Sequence, residues 1–403
     1  MILRELAKKV AEISADPIQQ ETIELWKRLN RLERTRPLIL LDDSTQHETG
    51  DKVTLETEGE FARNQELDLR TRIYRWEHMR DDSIWEAKVG CPIAVKSTEY
   101  GIEEDATKPD HVFGTSRFNT VIGDDDDPAR IPMPTVTVDW EDTERRYQCL
   151  CDLYDGILTV EKVGVTGYWY DPLDSFIRWR GIEQTFMGLV DRPKWLHSWL
   201  ERMCQFHLSL LNQYEKLNVL SLNNGNHRIG PGGIGYTDEL PQPDSDPTHV
   251  RTIDQWSQAT TQIFSEVSPA MHEEFALTYE KRFLSKFGLA NYGCCEPLDL
   301  KVSLILKHIP NVRRLSMSPR ANVARGAEAL GKRAIFSYKP NPAIIGMEHW
   351  DIDFARSQLR DTFEKTRHCV VEVIMKDLHT CRGDVRRMWE WIDMAKKLSE
   401  EYA

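Results

Sequence analysis

The chain has 403 residues, of which 40% are hydrophobic and 29% charged, and its formal net charge is −13. This composition is typical of a soluble globular protein with a sizeable core, and it excludes a disordered or fibrous chain. The acidic balance disfavours general nucleic-acid binding, because the surface would repel a phosphate backbone. No apolar run approaches the roughly 20 residues that a membrane-spanning helix needs, so no membrane partner is expected.

The first residues, MILRELAKKVAEISADP, predict an amphipathic helix with charges throughout rather than a signal peptide. The eight cysteines are too dilute for a disulfide scaffold, so their thiols are expected to be reduced. Together these features predict a cytoplasmic protein.

Short apolar runs that predict buried strands recur along the chain. Three of them lie upstream, at 37–43, 83–90 and 157–165, and a helix is predicted at 195–215. The second half alternates strands predicted at 216–222, 289–295, 313–319, 333–340 and 369–377 with helices predicted at 253–287, 298–308, 322–330, 352–366 and 384–400. Such alternation implies parallel strands with crossover helices. Eight strands favour a closed (β/α)8 TIM barrel over an open doubly wound sheet.

Two regions depart from this rhythm. Residues 1–36 are interpreted as an N-terminal helical extension. Residues 93–146 contain several prolines and the run GDDDDP, and they are interpreted as an insertion or small subdomain over the barrel. The aspartate run is expected to be a solvated acidic loop rather than a Ca²⁺ site, which needs spaced ligands. The whole chain, 1–403, is therefore expected to be one decorated barrel domain.

The motif NYGCCEP at 291–297 is the sharpest local feature. Side chains alternate along a strand, so Tyr292, Cys294 and Glu296 are predicted to share one face. At the mouth of a barrel they would offer a phenol, a thiol and a carboxylate, which suits general acid chemistry or a zinc site. The alternative is that Cys294 and Cys295 are small buried apolar residues.

A second contribution is expected from the last strand and its loop, HCVVEVIMKDLHTC at 368–381. The inward-facing candidates are Glu372 and Lys376, or alternatively Asp377, and His379 follows in the loop. Equally, Glu372 and Lys376 could pair with each other across the interior.

The glycine-rich segment SLNNGNHRIGPGGIGYTDELP at 221–241 is interpreted as a ligand-binding lid or as a flexible connection. It fits neither the P-loop nor the dinucleotide fingerprint. Its candidate binding residues are Asn223, Asn224, His227 and Arg228.

Aromatic residues follow the strand predicted at 157–165, in GYWYDPLDSFIRWRGIEQ. Trp169 and Trp179 are candidates to line a pocket for a flat or methylated ligand, and the alternative is core under a loop. Lys339 and Asn341, at the end of another predicted strand, suit an anionic or polar ligand. The absence of G-x-S-x-G and H-E-x-x-H motifs excludes simple serine hydrolases and zincins.

Several motifs resemble the uroporphyrinogen decarboxylase superfamily, in particular its methyltransferase-like branch. They are WRGIEQTFMGLVDRP (179–193), SPAMHEEFALTYEKRFLSKFGLANYGCCEP (268–297), LSMSPRANV (315–323), YKPNPA (338–343) and the final strand and helix. The resemblance covers most of the chain and is weakest around 93–146. It implies a (β/α)8 barrel with its active cleft at the carboxyl ends of the strands.

The resemblance also implies chemistry. Zinc-dependent thiol methyltransferases of this family bind metal through a His-x-Cys on this strand and a later cysteine. Here Cys294 carries over as a zinc ligand, but Tyr292 stands at the histidine position, and no cysteine stands near 374–376. Glu296, Glu372 or His379 would complete an altered zinc site, or the enzyme would work without a metal.

The leading hypothesis is a methyltransferase that moves a methyl group between a small methylated substrate and a corrinoid (cobalamin) carried by a partner protein. Tyr292, Glu296, Glu372 or Lys376 would protonate the leaving atom. One alternative is a carboxy-lyase acting on a tetrapyrrole or other polycarboxylate, with Arg228, Arg320 or Lys339 binding carboxylates. The other is a tetrapyrrole-binding protein without turnover. The chain could also assemble as a homodimer.

Overall fold

A computed structural model of the chain describes residues 1–43, 48, 54–108 and 116–403. Part of the predicted insertion, residues 109–115, therefore lies outside the described residues. The strands are β1 Leu38–Asp43, β2 Lys88–Pro92, β3 Ala94–Ser97, β4 Asp105–Thr107, β5 Arg117–Asn119, β6 Val136–Asp139, β7 Thr159–Val163, β8 Trp169–Tyr170, β9 Trp256–Ala259, β10 Leu289–Tyr292, β11 Val312–Met317, β12 Ile335–Tyr338 and β13 Val370–Leu378.

The α-helices of the described residues follow the same chain order. They are α1 Ile2–Ser14, α2 Pro17–Asn30, α3 Glu60–His78, α4 Trp140–Tyr154, α5 Pro172–Arg180, α6 Ile182–Asp191, α7 Pro193–Lys216, α8 Pro269–His272, α9 Thr278–Leu284, α10 Val302–His308, α11 Val323–Leu330, α12 Ala343–Gly346, α13 Ile352–Lys365 and α14 Arg386–Glu400. A π-helical turn, Glu273–Leu277, joins α8 to α9. Among these elements no helix has the length and apolarity to cross a membrane.

The central feature is a seven-stranded sheet in the order β1-β13-β12-β11-β10-β9-β8, with every neighbouring pair parallel. The predicted α/β class with parallel strands is confirmed. The predicted closed eight-stranded barrel is not seen: within the described residues, the sheet ends at β8 on one side and β1 on the other.

The sequence prediction is most accurate in the second half of the chain. The helices predicted at 298–308, 322–330, 352–366 and 384–400 correspond to α10, α11, α13 and α14. Capping side chains fix two of these starts, because Asn322 accepts a hydrogen bond from the Arg325 N–H at 3.0 Å and Asp351 accepts one from the Phe354 N–H at 2.9 Å.

Three of the predicted strands do not join the main sheet. The runs predicted at 83–90 and 157–165 do form strands, but β2 and β7 pair with each other outside the main sheet. The run at 216–222 contributes only an isolated bridge between Leu220 and Val165. The long helix predicted at 253–287 is confirmed only in its second part, where α8, the π-helical turn and α9 lie. Its first part forms β9 instead, whose polar sequence WSQA lacks the β-branched run that marks a strand.

Helix α1 of the N-terminal extension contributes to a second, smaller core, whose other buried members lie between residues 69 and 91 and between residues 150 and 158. Side chains of α1, α3 and α4 pack on β2 there. Its buried members include Leu6, Leu69, Cys91 and Tyr154. Strands β3 and β6 and strands β4 and β5 form two antiparallel pairs in the same part of the chain.

The glycine-rich segment does not form a lid. Its middle part, which we call the plug and define as residues 228–240, packs on one face of the sheet. Ile234 and Tyr236 of the plug are buried in a cluster with Leu38, Ile335 and Ile374 from β1, β12 and β13. The interpretation of the segment as a ligand lid or a flexible connection is therefore wrong for this part of it.

A buried ion pair holds the plug against the sheet. Arg314 of β11 and Glu372 of β13 are both fully buried, with 3.0 Å between Arg314 Nε and Glu372 Oε2. Glu372 also accepts the Gly233 N–H at 3.0 Å. A Cβ atom at Gly233 would lie within 2.5 Å of both the Trp26 ring and Glu372, so only glycine fits this close approach.

We predict that replacing Glu372 with alanine will lower the free energy of unfolding by about 3 to 5 kcal/mol, because the Arg314 guanidinium would stay buried without its counter-ion. Urea denaturation followed by fluorescence measures the loss. Glu401→Ala, which breaks the exposed pair between Glu401 and Arg360, is the matched control and should cost less than about 1 kcal/mol. Equal losses in the two variants would show that the buried pair does not secure the plug.

Candidate active site

A cavity of about 170 Å³ lies between β8, β9 and the plug. It brings together three residues that the sequence predicted for ligand binding, namely Trp169, Asn223 and Arg228. Trp256 and Gln258 of β9 line it as well. The lining combines two indoles with a few polar groups, as is typical of a site for a small ligand.

Arg228 enters this cavity with its charge already balanced. Its guanidinium forms a two-point ion pair with Asp42 at the end of β1, with 3.1 Å between Nη2 and Oδ2. Its Nε donates to the Gly232 carbonyl oxygen at 2.8 Å. Asn223 is held as firmly, because its Nδ2 donates to the Trp256 carbonyl at 2.9 Å and its Oδ1 accepts the Trp256 N–H at 2.8 Å. The two side chains therefore shape the cavity.

Lys339, just beyond β12, is an unusual cation that does not line this cavity. It is fully buried, and its Nζ donates to the carbonyl and hydroxyl oxygens of Ser337. Burial, together with the positive charges of Lys376, Arg314 and Arg228, lowers the pKa of Lys339 to about 7, although the Glu372 carboxylate opposes the shift. Lys339 is thus a group that can give up or take a proton near neutral pH.

Ser337 links this lysine to the buried ion pair. Its hydroxyl donates to Glu372 while it accepts from Lys339. The predicted catalytic residue Glu372 is therefore engaged by Arg314, Ser337 and the Gly233 N–H, and it does not pair with Lys376 as the alternative interpretation proposed.

A thiol cluster follows β10. The Sγ atoms of Cys294 and Cys295 are 3.5 Å apart, and Lys376 Nζ lies 3.3 Å from the Cys295 sulfur. Lys376 also donates to Asp377. Cys294 is buried, whereas Cys295 is exposed to solvent. The Gln258 side chain donates to the Gly293 carbonyl at 3.1 Å and so connects this cluster to the lining of the 170 Å³ cavity.

The electrostatics of the cluster separate the two thiols. The hydrogen bond from Cys294 and the charge of Lys376 lower the pKa of Cys295 to about 6, although burial and Asp377 oppose the shift. The same thiol–thiol hydrogen bond, with burial, raises the pKa of Cys294 well above its ordinary value. Burial alone would lower the pKa of Lys376, but the neighbouring thiols and Asp377 raise it above its ordinary value. Cys295 beside Lys376 therefore forms a thiolate–ammonium pair at neutral pH.

The prediction that Tyr292, Cys294 and Glu296 share one inward face is wrong. Tyr292 points to the helical side of the sheet, where its hydroxyl contacts His272 Nε2 at 2.7 Å and donates to Glu280 at 2.6 Å. The strand ends at Tyr292, and Gly293 has a φ of +88°, so the alternation that the prediction extended to Glu296 stops there. Tyr292 is thus separated from the cavity by its own strand.

Glu296 is fully buried behind the thiol cluster. Its carboxylate accepts the Cys294 N–H at 2.9 Å and the Thr260 hydroxyl at 2.8 Å. These contacts hold the turn that carries the two cysteines. Glu296 is a positioning residue here, and it does not point at the cavity with the thiols.

The altered zinc site does not fit this geometry. Its proposed ligands were Cys294, Glu296 and His379, yet the carboxylate of Glu296 is directed at a backbone N–H and a hydroxyl, and His379 is exposed beyond β13. Among all the residues that the structure describes, no three His, Cys, Asp or Glu side chains are grouped so that they could hold a metal ion.

Four further predicted residues lie apart from the cavity lining or serve local structure. Trp179 is buried and lines a different, larger cavity of about 1240 Å³ between residues 97–104 and α5 and α7. Asn224 donates to the Leu240 carbonyl, and Asn341 accepts the Ala343 N–H in a turn. His227 is partly buried, and burial lowers its pKa, so it is neutral at physiological pH.

The sequence interpretation missed Arg314, Gln258 and the reactivity of Cys295. One signal was available for Arg314, which shares its period-two face with Ser316 and Ser318 in the run RRLSMSP. Gln258 was not identified because it lies in a segment that was predicted to be helical. Cys295 was assigned to the face opposite Cys294, which an extended strand would require but the turn at Gly293 does not.

We predict that iodoacetamide will alkylate Cys295 with a midpoint near pH 6, because the thiolate is the reactive form and Lys376 stabilises it. The rate is measured by mass spectrometry of the Cys295 peptide across a pH series, with the exposed Cys149 in the same digest as an internal reference. Lys376→Met should move the midpoint upward by about one pH unit or more. A midpoint near pH 8.5, about the pKa of an ordinary free cysteine, would contradict the assignment.

Comparison with known proteins reveals similarity in three-dimensional structure only. No protein-family model matches the chain, and no curated protein matches its sequence. Among solved structures, a methyltransferase from Methanosarcina mazei is similar, with a TM-score of 0.52 and 9% sequence identity. The match covers 94% of this chain and 97% of that chain. At this level of identity the similarity shows a shared fold over nearly the full length of both chains.

Proposed function

We propose that the protein is a methyltransferase that moves a methyl group between a small methylated substrate and a corrinoid carried by a separate protein. The observations that carry the proposal are the small two-indole cavity and the buried Lys339, whose pKa of about 7 results mainly from burial and is also lowered by the charge of the cavity residue Arg228. The full-length similarity of fold to a methyltransferase supports the same conclusion.

The cavity suits a small substrate. A volume of about 170 Å³ accommodates a molecule of a few heavy atoms, and the Trp169 and Trp256 indoles offer apolar contact to a methyl group. Asn223 and Arg228 restrict where a polar group of the ligand can lie, because both side chains are already fixed by hydrogen bonds.

Proton transfer is the chemistry that the chain itself supplies. A methyl group leaves oxygen or nitrogen readily only when the leaving atom is protonated. Lys339 would donate that proton, since its pKa of about 7 makes it a stronger acid than an ordinary lysine. Lys376 is a poor acid because its pKa is raised, and it would instead hold a fixed positive charge beside the Cys295 sulfur.

The corrinoid would supply the cobalt centre that accepts or donates the methyl group. The chain's contribution would be a surface that meets the partner protein. Trp169, which lines the cavity, is 38% exposed. An exposed indole at this site would favour contact with another protein.

The structure gives less support to the carboxy-lyase alternative. Its three carboxylate-binding candidates were Arg228, Arg320 and Lys339. Arg228 is neutralised by Asp42. Arg320 is 59% exposed and bonds Ser265. Only Lys339 remains, and a polycarboxylate requires several cations at once.

We predict that the full-length protein will demethylate at least one member of a panel of small O-methyl and N-methyl compounds in the presence of free cob(I)alamin. The change in cobalamin absorbance measures methyl transfer. Incubation with a porphyrinogen, followed by measurement of released CO₂, tests the lyase alternative in parallel. Release of CO₂ without methyl transfer would overturn the proposal, and a cobalamin spectrum altered without turnover would indicate a binding protein.

We predict that Lys339→Met will lower kcat/KM for methyl transfer by about 10²-fold or more, which is typical of the loss of a general acid. In the wild type the rate should fall as the pH rises above about 7, because Lys339 loses its proton there. Lys365→Met, at a lysine that is 42% exposed on α13, is the matched control and should keep full activity. An unchanged alkaline limb in Lys339→Met with normal circular dichroism would remove Lys339 from the mechanism.

A further inference from the structure

Two consecutive cysteines in the turn after β10 have their sulfur atoms directed at each other. The Sγ–Sγ distance between Cys294 and Cys295 is 3.5 Å, so rotation of the side chains would bring the atoms to the roughly 2.05 Å of a disulfide bond. Gly293, with its φ of +88°, precedes the pair in the turn. The two thiols are therefore placed to form a bond with each other.

The surroundings assign different roles to the two sulfur atoms. Cys295 is exposed, and the Lys376 ammonium lies 3.3 Å from its sulfur. Cys294 is only 7% exposed. Reactive, oxidation-sensitive cysteines combine exposure, a neighbouring cation and a second thiol within reach. Cys295 has all three.

We propose that Cys295 is a site of oxidation by peroxides and that Cys294 resolves the product into a disulfide between adjacent residues. The Cys295 thiolate attacks one oxygen of hydrogen peroxide and the O–O bond breaks. The attacked oxygen stays on the sulfur as a sulfenic acid, and the other oxygen leaves as hydroxide, which takes up a proton to form water. The Cys294 sulfur then attacks the Cys295 sulfur, the S–O bond breaks, and a second water leaves with the Cys294 proton. Two thiols and one hydrogen peroxide thus give one disulfide and two waters.

Oxidation would change the site electrostatically. The disulfide carries no charge, so Lys376 would lose its sulfur partner and keep only Asp377. The ring closed by adjacent residues is strained, because their Cα atoms lie only ~3.8 Å apart, which is closer than in ordinary disulfides. A strained disulfide is easily reduced, so the modification is reversible by a dithiol.

The chain provides an internal control. Cys149 and Cys151 lie two residues apart on α4, and residues at this spacing point to different sides of a helix. Cys149 is also exposed, and Cys151 is partly so. Exposure alone would therefore oxidise these cysteines as readily as Cys295, but without forming a local disulfide.

The test treats the full-length protein with a small excess of hydrogen peroxide, blocks the remaining thiols with N-ethylmaleimide and analyses the peptides by mass spectrometry. The peptide with Cys294 and Cys295 is expected to lose the mass of two hydrogen atoms and carry no maleimide. Dithiothreitol should restore both thiols. Cys149→Ser should leave this result unchanged.

Cys294→Ser distinguishes the proposed pathway from simple oxidation. In this variant Cys295 should accumulate as sulfenic acid, which dimedone traps. Sulfinic acid at Cys295 in the wild type, a disulfide to another chain, or maleimide on both cysteines after treatment would overturn the proposal. The readout is chemical, so it stands or falls independently of methyl transfer.

Discussion

The buried ion pair between Arg314 and Glu372 is the constraint on which the interior depends. Taking both charges out of water is costly, and the pair is tolerated only because hydrogen-bonding groups surround it. Glu372 receives the Ser337 hydroxyl and the Gly233 N–H, and these two contacts connect Lys339 on one side and the plug on the other. Burial is the main cause of the lowered pKa of Lys339, and the two charges that secure the fold act on it in opposite directions, because Glu372 raises the pKa and Arg314 lowers it.

Much of the fold could be predicted from the sequence where strands are apolar and helices have clear ends, as from α10 to α14. The prediction fails where burial comes from a distant segment. The strand β9 is polar in sequence and becomes a buried strand because Asn223 and the plug complete its hydrogen bonds. The apolar run at 157–165 was assigned to the central sheet, whereas β7 pairs with β2, a choice that depends on tertiary contacts rather than on the local pattern.

The candidate site was predicted in part. Polar strand ends pointed to Lys376, Asp377 and Lys339, because parallel strands place their carboxyl ends together, and in the structure Lys376 contacts Asp377. The errors about Cys294, Cys295 and Glu296 arose at a single turn. Once Gly293 leaves the extended conformation, strand alternation no longer says where Cys294, Cys295 and Glu296 point. The resemblance to zinc enzymes drew attention to Cys294, whereas the contacts of Lys376 single out its neighbour.

Asn30, the last residue of α2, has a consequence for how the chain acquires its structure. Its side chain donates to the carbonyl oxygens of Ile234 and Tyr236 and accepts from Arg314, partners that follow it by 204, 206 and 284 residues. Because α2 is synthesised before these partners, the Asn30 side chain lacks its hydrogen-bond partners until the later residues have been made. Contacts this distant in sequence slow folding and leave apolar surface open in the meantime. Helix α2 thus completes an interior that is built by residues synthesised after it. Removing α2 would take away the hydrogen bonds that Asn30 forms with the plug and with Arg314.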